Sequence, residues 1–148
     1  MIVSRGDPRD PQATALLQAS HALMQSLFPP EDNHYLSIDA LCGPDVYFFV
    51  ARDGDTILGC GALKQKGNYG EVKSMFTADT GRGKGVASAI LNEIETQARS
   101  LGLASLMLET GDTLHAAHRL YERHGFTYRG VFGDYVENPS SLFMEKPL

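Results

Sequence analysis

A glycine-rich segment occupies the middle of the chain, between a candidate strand and a candidate helix. The strand covers residues 71–77, the segment covers residues 80–85, and the helix follows directly. The first amides of a helix have no partners within it, and the helix dipole adds partial positive charge at that end. The sequence therefore predicts a binding site for a phosphate or diphosphate where this helix begins.

Two glycines and two cations of the segment support this interpretation. Gly83 and Gly85 would let a ligand approach the main chain closely, because a Cβ at either position would obstruct it. Arg82 and Lys84 add positive charge. Two common phosphate motifs fit poorly. A Walker A loop would need glycine at position 78 and serine or threonine at 85, and a dinucleotide fingerprint would need glycine at 86 or 88.

The segment resembles the acyl-CoA signature of the GNAT N-acetyltransferases, [RQ]xxGx[GA], which is met by Arg82, Gly85 and Ala87. Three further marks of that family follow in the right order over residues 46–148. The strand ending at Thr77 has the position of the family's central strand, residues 120–126 read LYERHGF against the family's LYxxxGF, and residues 141–146 fit its closing strand.

The resemblance implies that acetyl-CoA is the cosubstrate and that no metal is required. The pantetheine arm would pair with the main chain where the central strand splays from its neighbour at a bulge, and the diphosphate would lie on the amides of the glycine segment. An N–H group of the strand would polarise the thioester carbonyl. The residues implied in cofactor binding are Met75, Phe76, Thr77, Arg82, Gly83, Lys84, Gly85, Val86 and Ala87.

Catalytic roles follow from the same resemblance. Tyr121 matches the family tyrosine that commonly protonates the departing thiolate of coenzyme A. Glu71, at the start of the central strand, is the first candidate for the base that takes a proton from the substrate ammonium, and Glu109 is the reserve candidate. Many family members carry an asparagine seven residues before the tyrosine, but position 114 here is leucine. We therefore assign no side-chain contact to the cofactor there, and Thr110, Asp112 and Thr113 are the residues that could substitute for the asparagine.

Histidines in two regions are the remaining candidates for chemistry. His34 and Tyr35 fall in the loop between the first two helices, which usually forms the acceptor pocket in this family. His115 and His118 share a predicted helix, but no third ligand stands at a suitable spacing, so no metal site is expected.

The pattern of elements predicts a mixed α/β fold. A helix over residues 12–28 precedes a loop with a short second helix, and strands are predicted over residues 46–52, 56–63, 71–77, 103–110, 126–132 and 142–146. Helices are predicted after the glycine segment and over residues 114–124, and the first of them places Ala87, Ile90, Leu91, Ile94, Ala98 and Leu101 on one face. Hairpins followed by alternating strands and helices imply a mixed sheet with helices on both faces. The resemblance implies six or seven mostly antiparallel strands, splayed at the centre.

Composition limits the partners. A chain of 148 residues with 43% apolar residues has room for one domain, taken as residues 1–148. The net charge of −5 argues against nucleic acid or anionic lipid as a partner, and no stretch is apolar enough to cross a membrane. Cys42 and Cys60 form no CxxC pair and are expected to be free thiols of a cytoplasmic protein. The oligomeric state stays open, with a homodimer among the options.

These observations predict an N-acetyltransferase acting by direct attack of a primary amine on acetyl-CoA. The acceptor class stays open between an amino acid, a polyamine, an aminoglycoside-like drug and a protein N-terminus, with a small molecule favoured by the short chain. The acidic balance of the whole chain hints at a cationic acceptor. Two other functions remain as alternatives, namely a non-catalytic acyl-CoA-binding regulatory module and a nucleoside triphosphate binder.

Overall fold

One seven-stranded sheet organises the computed structural model, which describes residues 1–148. The strand order is β1-β2-β3-β4-β5-β7-β6, and every neighbouring pair is antiparallel except β4 and β5. The strands are β1 (Ile2–Arg5), β2 (Val46–Asp53), β3 (Thr56–Lys66), β4 (Tyr69–Thr77), β5 (Ser105–Gly111), β6 (Thr127–Arg129) and β7 (Ser141–Pro147). The helices are α1 (Pro11–Leu27), α2 (Ile38–Leu41), α3 (Val86–Ser100) and α4 (His115–Arg123). None of them combines the length and the apolar character that a bilayer crossing requires.

Helices cover both faces of the sheet, as predicted. On one face, Ala13 and Leu17 of α1 pack with Phe48, Cys60 and Ala62 of the strands. On the other face, α3 buries its apolar side against a second set of strand residues, and α4 contributes to the same cluster. That second cluster includes Ile90, Ile94, Leu63, Val72, Leu106, Leu108 and Tyr121.

The sheet opens between β4 and β5. Their parallel pairing lasts for three residue pairs, from Tyr69 opposite Ser105 to Glu71 opposite Met107, and then stops. Beyond Glu71, β4 stays paired with β3 on one side only. The predicted splay at the central strands is thus confirmed, and it leaves main-chain groups of the second half of β4 without a strand partner.

A bulge in β4 accompanies the opening. Cys60 lies opposite Phe76 and Ala62 lies opposite Lys73, so two residues of β4 face the single residue Gly61. Ser74, in the bulge, has φ 58°, a left-handed conformation that is uncommon outside glycine. Gly61 permits the bulge, because a Cβ there would lie 2.4 Å from the Sδ of Met75.

Most predicted elements are confirmed within a few residues, but two differ. The predicted strand over residues 126–132 is too long, since β6 covers only Thr127–Arg129 and the chain from Gly130 to Ser140 forms an irregular loop. The edge strand β1 was not predicted. It is four residues long and pairs with β2 alone.

Candidate active site

The glycine segment leaves the start of α3 open to an anion. After a single 3₁₀ turn, Gly83 and Gly85 both adopt φ 75°, and α3 begins at Val86 without any side-chain cap. The first amides of α3 therefore have no partner within the helix. A Cβ at either glycine would meet no protein atom within 4 Å, so their positive φ, rather than crowding by the protein, favours glycine.

A groove of about 800 Å³ runs from this segment to the opened edge of β4 and to α4. We call it the glycine-loop groove. Tyr121 lines this groove, and so do eight of the nine residues predicted to bind the cofactor. The eight are Met75, Phe76, Thr77, Arg82, Gly83, Gly85, Val86 and Ala87. Lys84 is exposed and does not line the groove. Arg82 lies 3.2 Å from the carboxylate of Asp79 and remains largely exposed.

A second space, of about 140 Å³, lies between α1, the loop after it and the opened strands. We call it the inner cavity. Its lining includes His34, Tyr35, Lys73, Ser74, Glu109, Thr110 and Tyr121. It shares lining residues with the glycine-loop groove, namely Met24, Met75, Leu114, Ala117 and Tyr121. The two spaces therefore meet where the sheet opens.

Tyr121 reaches this meeting point from α4. Its side chain is 6% exposed and packs against Phe126, with ring centroids 5.7 Å apart. Burial raises the pKa of its phenol above the ordinary value, and the negative charge of Glu109 raises it further. The phenol is therefore protonated at any ordinary pH.

Glu109 faces the inner cavity from the other side of the sheet. It alternates along β5 with Leu108, which belongs to the α3-side cluster. Burial raises the pKa of its carboxyl above the ordinary value, and a hydrogen bond donated by Ser141 at 2.7 Å opposes that shift in part. The positive charge of Lys73 opposes the rise in pKa as well, whereas the negative charge of Glu71 adds to it.

Glu71, the first candidate for the base, lies outside the lining of the inner cavity. Its side chain is 1% exposed, and its carboxylate lies 3.2 Å from the Nζ of Lys73 and 3.6 Å from the Nζ of Lys66. Tyr135, from the loop between β6 and β7, donates a further hydrogen bond to it. A carboxylate committed to three donors is poorly placed to accept a proton from a ligand in the inner cavity.

His34 and Tyr35 lie in the cavity wall, as the sequence predicted for the acceptor loop. The carbonyl of His34 accepts a hydrogen bond from Lys73 Nζ at 2.9 Å, which ties the loop to β4. Tyr35 stacks on His21 with ring centroids 4.1 Å apart, and Gln25 donates a hydrogen bond to its hydroxyl at 2.8 Å. These contacts fix the loop against α1.

Of the three histidines in and just after α4, His115 lines the glycine-loop groove, whereas His118 and His124 make contacts within the fold. His118 is buried and donates a hydrogen bond from Nε2 to the carbonyl of Gly111 at 2.8 Å. His124, which follows α4, lies 3.0 Å from the hydroxyl of Ser88. No group of three or more potential ligands is arranged around a metal position.

Sequence reasoning missed the residues that assemble around Glu71. Lys73 and Ser74 fall in the predicted strand over residues 71–77, but nothing in the sequence marks them, or Tyr135, as residues of a site. Tyr135 lies 64 positions from Glu71 in an irregular loop, and no local pattern marks it. No local pattern marks the bulge at Ser74 either, because the bulge depends on the register of β4 against β3.

Comparison with known proteins gives a consistent result. The profile of the acetyltransferase (GNAT) family matches residues 14–126. The IAA acetyltransferase of Azospirillum brasilense is 42% identical over 150 residues, covering 100% of this chain and 98% of that protein. The uncharacterized N-acetyltransferase YsnE of Bacillus subtilis is 41% identical over 140 residues, covering 93% of each. A solved structure from Klebsiella pneumoniae, assigned to the acyl-CoA N-acyltransferases, matches with TM-score 0.83 and 32% identity over 99% of this chain and 97% of that one.

Proposed function

Because the chain belongs to the GNAT family of acetyltransferases, we propose that it transfers the acetyl group of acetyl-CoA to a primary amine of a small molecule. In this proposal Tyr121 is the general acid and Glu109, rather than Glu71, is the general base. The glycine-loop groove holds coenzyme A, and the inner cavity holds the amine.

One observation carries the proposal. Tyr121 lines both the glycine-loop groove and the inner cavity, at the point where β4 and β5 part. A thioester lying along the free edge of β4 would bring its sulfur and carbonyl to this junction. An amine in the inner cavity would meet it from the opposite side, within reach of Glu109.

The residues support direct transfer without an acyl-enzyme. Glu109 takes a proton from the ammonium, the neutral nitrogen bonds to the thioester carbon, and the carbon–sulfur bond breaks. Tyr121 then gives its proton to the departing sulfur. The nitrogen passes its second proton to the Tyr121 phenolate as the amide forms, which regenerates the acid, and solvent removes the proton that Glu109 has gained.

The raised pKa of Tyr121 suits this role only if the sulfur is also a strong base. Cys60 of this chain shows what burial does to a thiol, since desolvation raises its pKa to about 12. A thiolate formed beside the buried side chain of Tyr121 would be subject to a penalty of the same kind. Proton transfer from the phenol is then far less unfavourable than it would be to a thiolate in water.

The size of the inner cavity supports a small acceptor. About 140 Å³ accommodates an amine and a few neighbouring atoms, and the loop at His34 and Tyr35 closes its outer wall. That wall is held by the contact of Lys73 with the His34 carbonyl.

The test is an acetyl-CoA turnover screen over a panel of amines, with Tyr121→Phe as the variant. We expect the variant to bind coenzyme A almost as well as the wild type and to lose kcat by about 10- to 1000-fold, because only the acid is removed. Tyr128→Phe is the matched control, since Tyr128 is exposed on β6 and bonds to Glu122. An unchanged kcat in Tyr121→Phe would remove the assigned acid, and stabilisation by acetyl-CoA without any turnover would identify a binding module instead.

A further inference from the structure

We propose that the acceptor amine also carries a carboxylate, which binds at a group of lysines beside the inner cavity. This inference rests on the proposed acetyl transfer and specifies its substrate class. It reverses the expectation of a cationic acceptor that the acidic composition of the chain suggested.

The lysines line a separate space of about 300 Å³, which we call the lysine cavity. Lys64, Lys66 and Lys73 contribute to it, so three of the five lysines of a chain with net charge −5 converge on one place. Two carboxylates, Glu71 and Asp134, line it as well, so positive side chains outnumber negative ones by one. His34 and Tyr35 line both the lysine cavity and the inner cavity, as does Lys73. A ligand in the inner cavity therefore adjoins the lysines across a shared wall.

Strand register places the two spaces on one face of the sheet. Lys64 lies opposite Glu71, and Glu71 lies opposite Met107, two residues before Glu109. Residues that are opposite, or two positions apart, point to the same side of a sheet. Two strand spacings across the sheet and two residues along β5 put the Cα atoms of Lys64 and Glu109 about 12 Å apart, and a lysine side chain spans part of that distance. A molecule of a few bonds could thus present its nitrogen to Glu109 and its carboxylate to the lysines.

Not all of the positive charge is committed. Lys66 and Lys73 contact the carboxylate of Glu71, whereas Lys64 is half-buried and has no acidic partner within 4 Å. The Nε2 atom of His34 is buried and has no hydrogen-bond partner. Lys64 and His34 are therefore the donors that a ligand carboxylate would satisfy.

A second buried atom also points to a polar ligand. Ser74 lines the inner cavity in the bulge of β4, and its buried hydroxyl has no partner. Buried polar atoms in folded proteins are almost always paired. Of the three that are unpaired here, His21 Nε2 belongs to a residue that lines neither space, whereas His34 Nε2 and Ser74 Oγ belong to residues that line them, and a polar ligand there would satisfy both atoms.

The experiment compares amines matched in length. The panel is 3-aminopropionate, 4-aminobutyrate and 6-aminohexanoate, each beside the alkylamine and the diamine of equal chain length, together with phenylalanine beside phenethylamine. At saturating acetyl-CoA we expect kcat/KM for the preferred carboxylate-bearing amine to be about 10-fold or more above that of its neutral and cationic counterparts.

Variants at Lys64 locate the effect. Lys64→Gln should raise KM for the carboxylate-bearing amine by about 10-fold with little change in kcat, and Lys64→Arg should restore it, because the group binds and does not react. Arg99→Gln removes an exposed charge of α3 and should change neither constant.

Failure of this inference differs from failure of the proposed function. If neutral amines or diamines react as well as the amino acids, or if Lys64→Gln leaves KM unchanged, the lysine cavity does not select the acceptor. If no amine reacts, acetyl transfer is in doubt, and the carboxylate site is tested by binding instead. The measurement is the melting temperature of the coenzyme A complex with each amine added. A larger rise in melting temperature with carboxylate-bearing amines than with their counterparts supports the inference, and an equal or smaller rise overturns it.

Discussion

At the scale of single residues, the two carboxylates near β4 have opposite surroundings. Glu71 is surrounded by donors from Lys66, Lys73 and Tyr135, which stabilise its charge. Glu109 has one hydroxyl donor and a cavity in front of it. The same residue type is therefore suited to holding a lysine at one position and to accepting a proton at the other.

The pH dependence of activity should report Glu109. Burial raises its pKa, so the protonated and inactive form persists to higher pH than for an ordinary glutamate, and kcat/KM should rise as pH rises through that value. Tyr121 should cause no fall on the alkaline side up to about pH 10, because its pKa is raised above the ordinary value. In Glu109→Gln we expect kcat/KM to drop by about 100-fold or more and the acidic limb to disappear from the pH–rate profile.

Glu71→Gln is the matched control for that experiment. It should keep the acidic limb but lose stability to denaturant, because it leaves Lys73 buried beside a neutral partner. The opposite pattern, with the limb lost in Glu71→Gln and kept in Glu109→Gln, would return the role of base to Glu71.

At the scale of elements, the bulge in β4 depends on its neighbour β3. A side chain at position 61 would collide with Met75 and with Ile90 of α3, whose Cγ2 lies 2.7 Å from the ideal Cβ position. The bulge lies just beyond Glu71, where the pairing of β4 with β5 ends, and its residues Ser74 and Met75 line the inner cavity. Met75 also lines the glycine-loop groove, so a change at position 61 should affect both spaces.

Gly61→Ala should consequently weaken both stability and cofactor binding. We expect a loss of about 1–3 kcal/mol in the free energy of unfolding, typical of overpacking, and weaker binding of coenzyme A, because Met75 lines the groove. Denaturant titration and calorimetry measure the two effects. Gly130→Ala is the control, since nothing lies within 4 Å of its Cβ position and its φ is not positive. If Gly61→Ala behaves like the control, the bulge does not depend on the glycine.

Elements were predictable from the sequence where the signal is local. The helical spacing in α3 and the glycines before it specify both the helix and its open N-terminus, and the turn at Gly54 specifies the hairpin of β2 and β3. The edge strand β1 and the end of β6 were not, because each depends on one neighbouring strand. The same limit applies to the site. Tyr121 and the groove could be predicted, whereas the commitment of Glu71 to Lys73 and Tyr135 arises only from tertiary contacts.

At the scale of the whole molecule, the sheet consists of two parts. Strands β1 to β4 form one part and β5 to β7 the other, and their only ladder is the short parallel pairing that ends at Glu71 and Met107. The glycine-loop groove is lined by β4 and α3 on one side of the opening and by α4 on the other. A ligand in this groove would therefore connect the two parts where the sheet itself does not.

Acetyl-CoA should accordingly stabilise the fold as a unit. At a free concentration 100 times its Kd, mass action raises the free energy of unfolding by about 2.7 kcal/mol, and for a chain of this size the melting temperature should rise by about 5–10 °C. Amide hydrogen exchange should slow in the second half of β4 and in α4 together, because both line the groove. ATP with magnesium is the control ligand and should give no comparable shift. A shift as large with ATP, or protection confined to one side of the opening, would contradict a coenzyme that spans the gap.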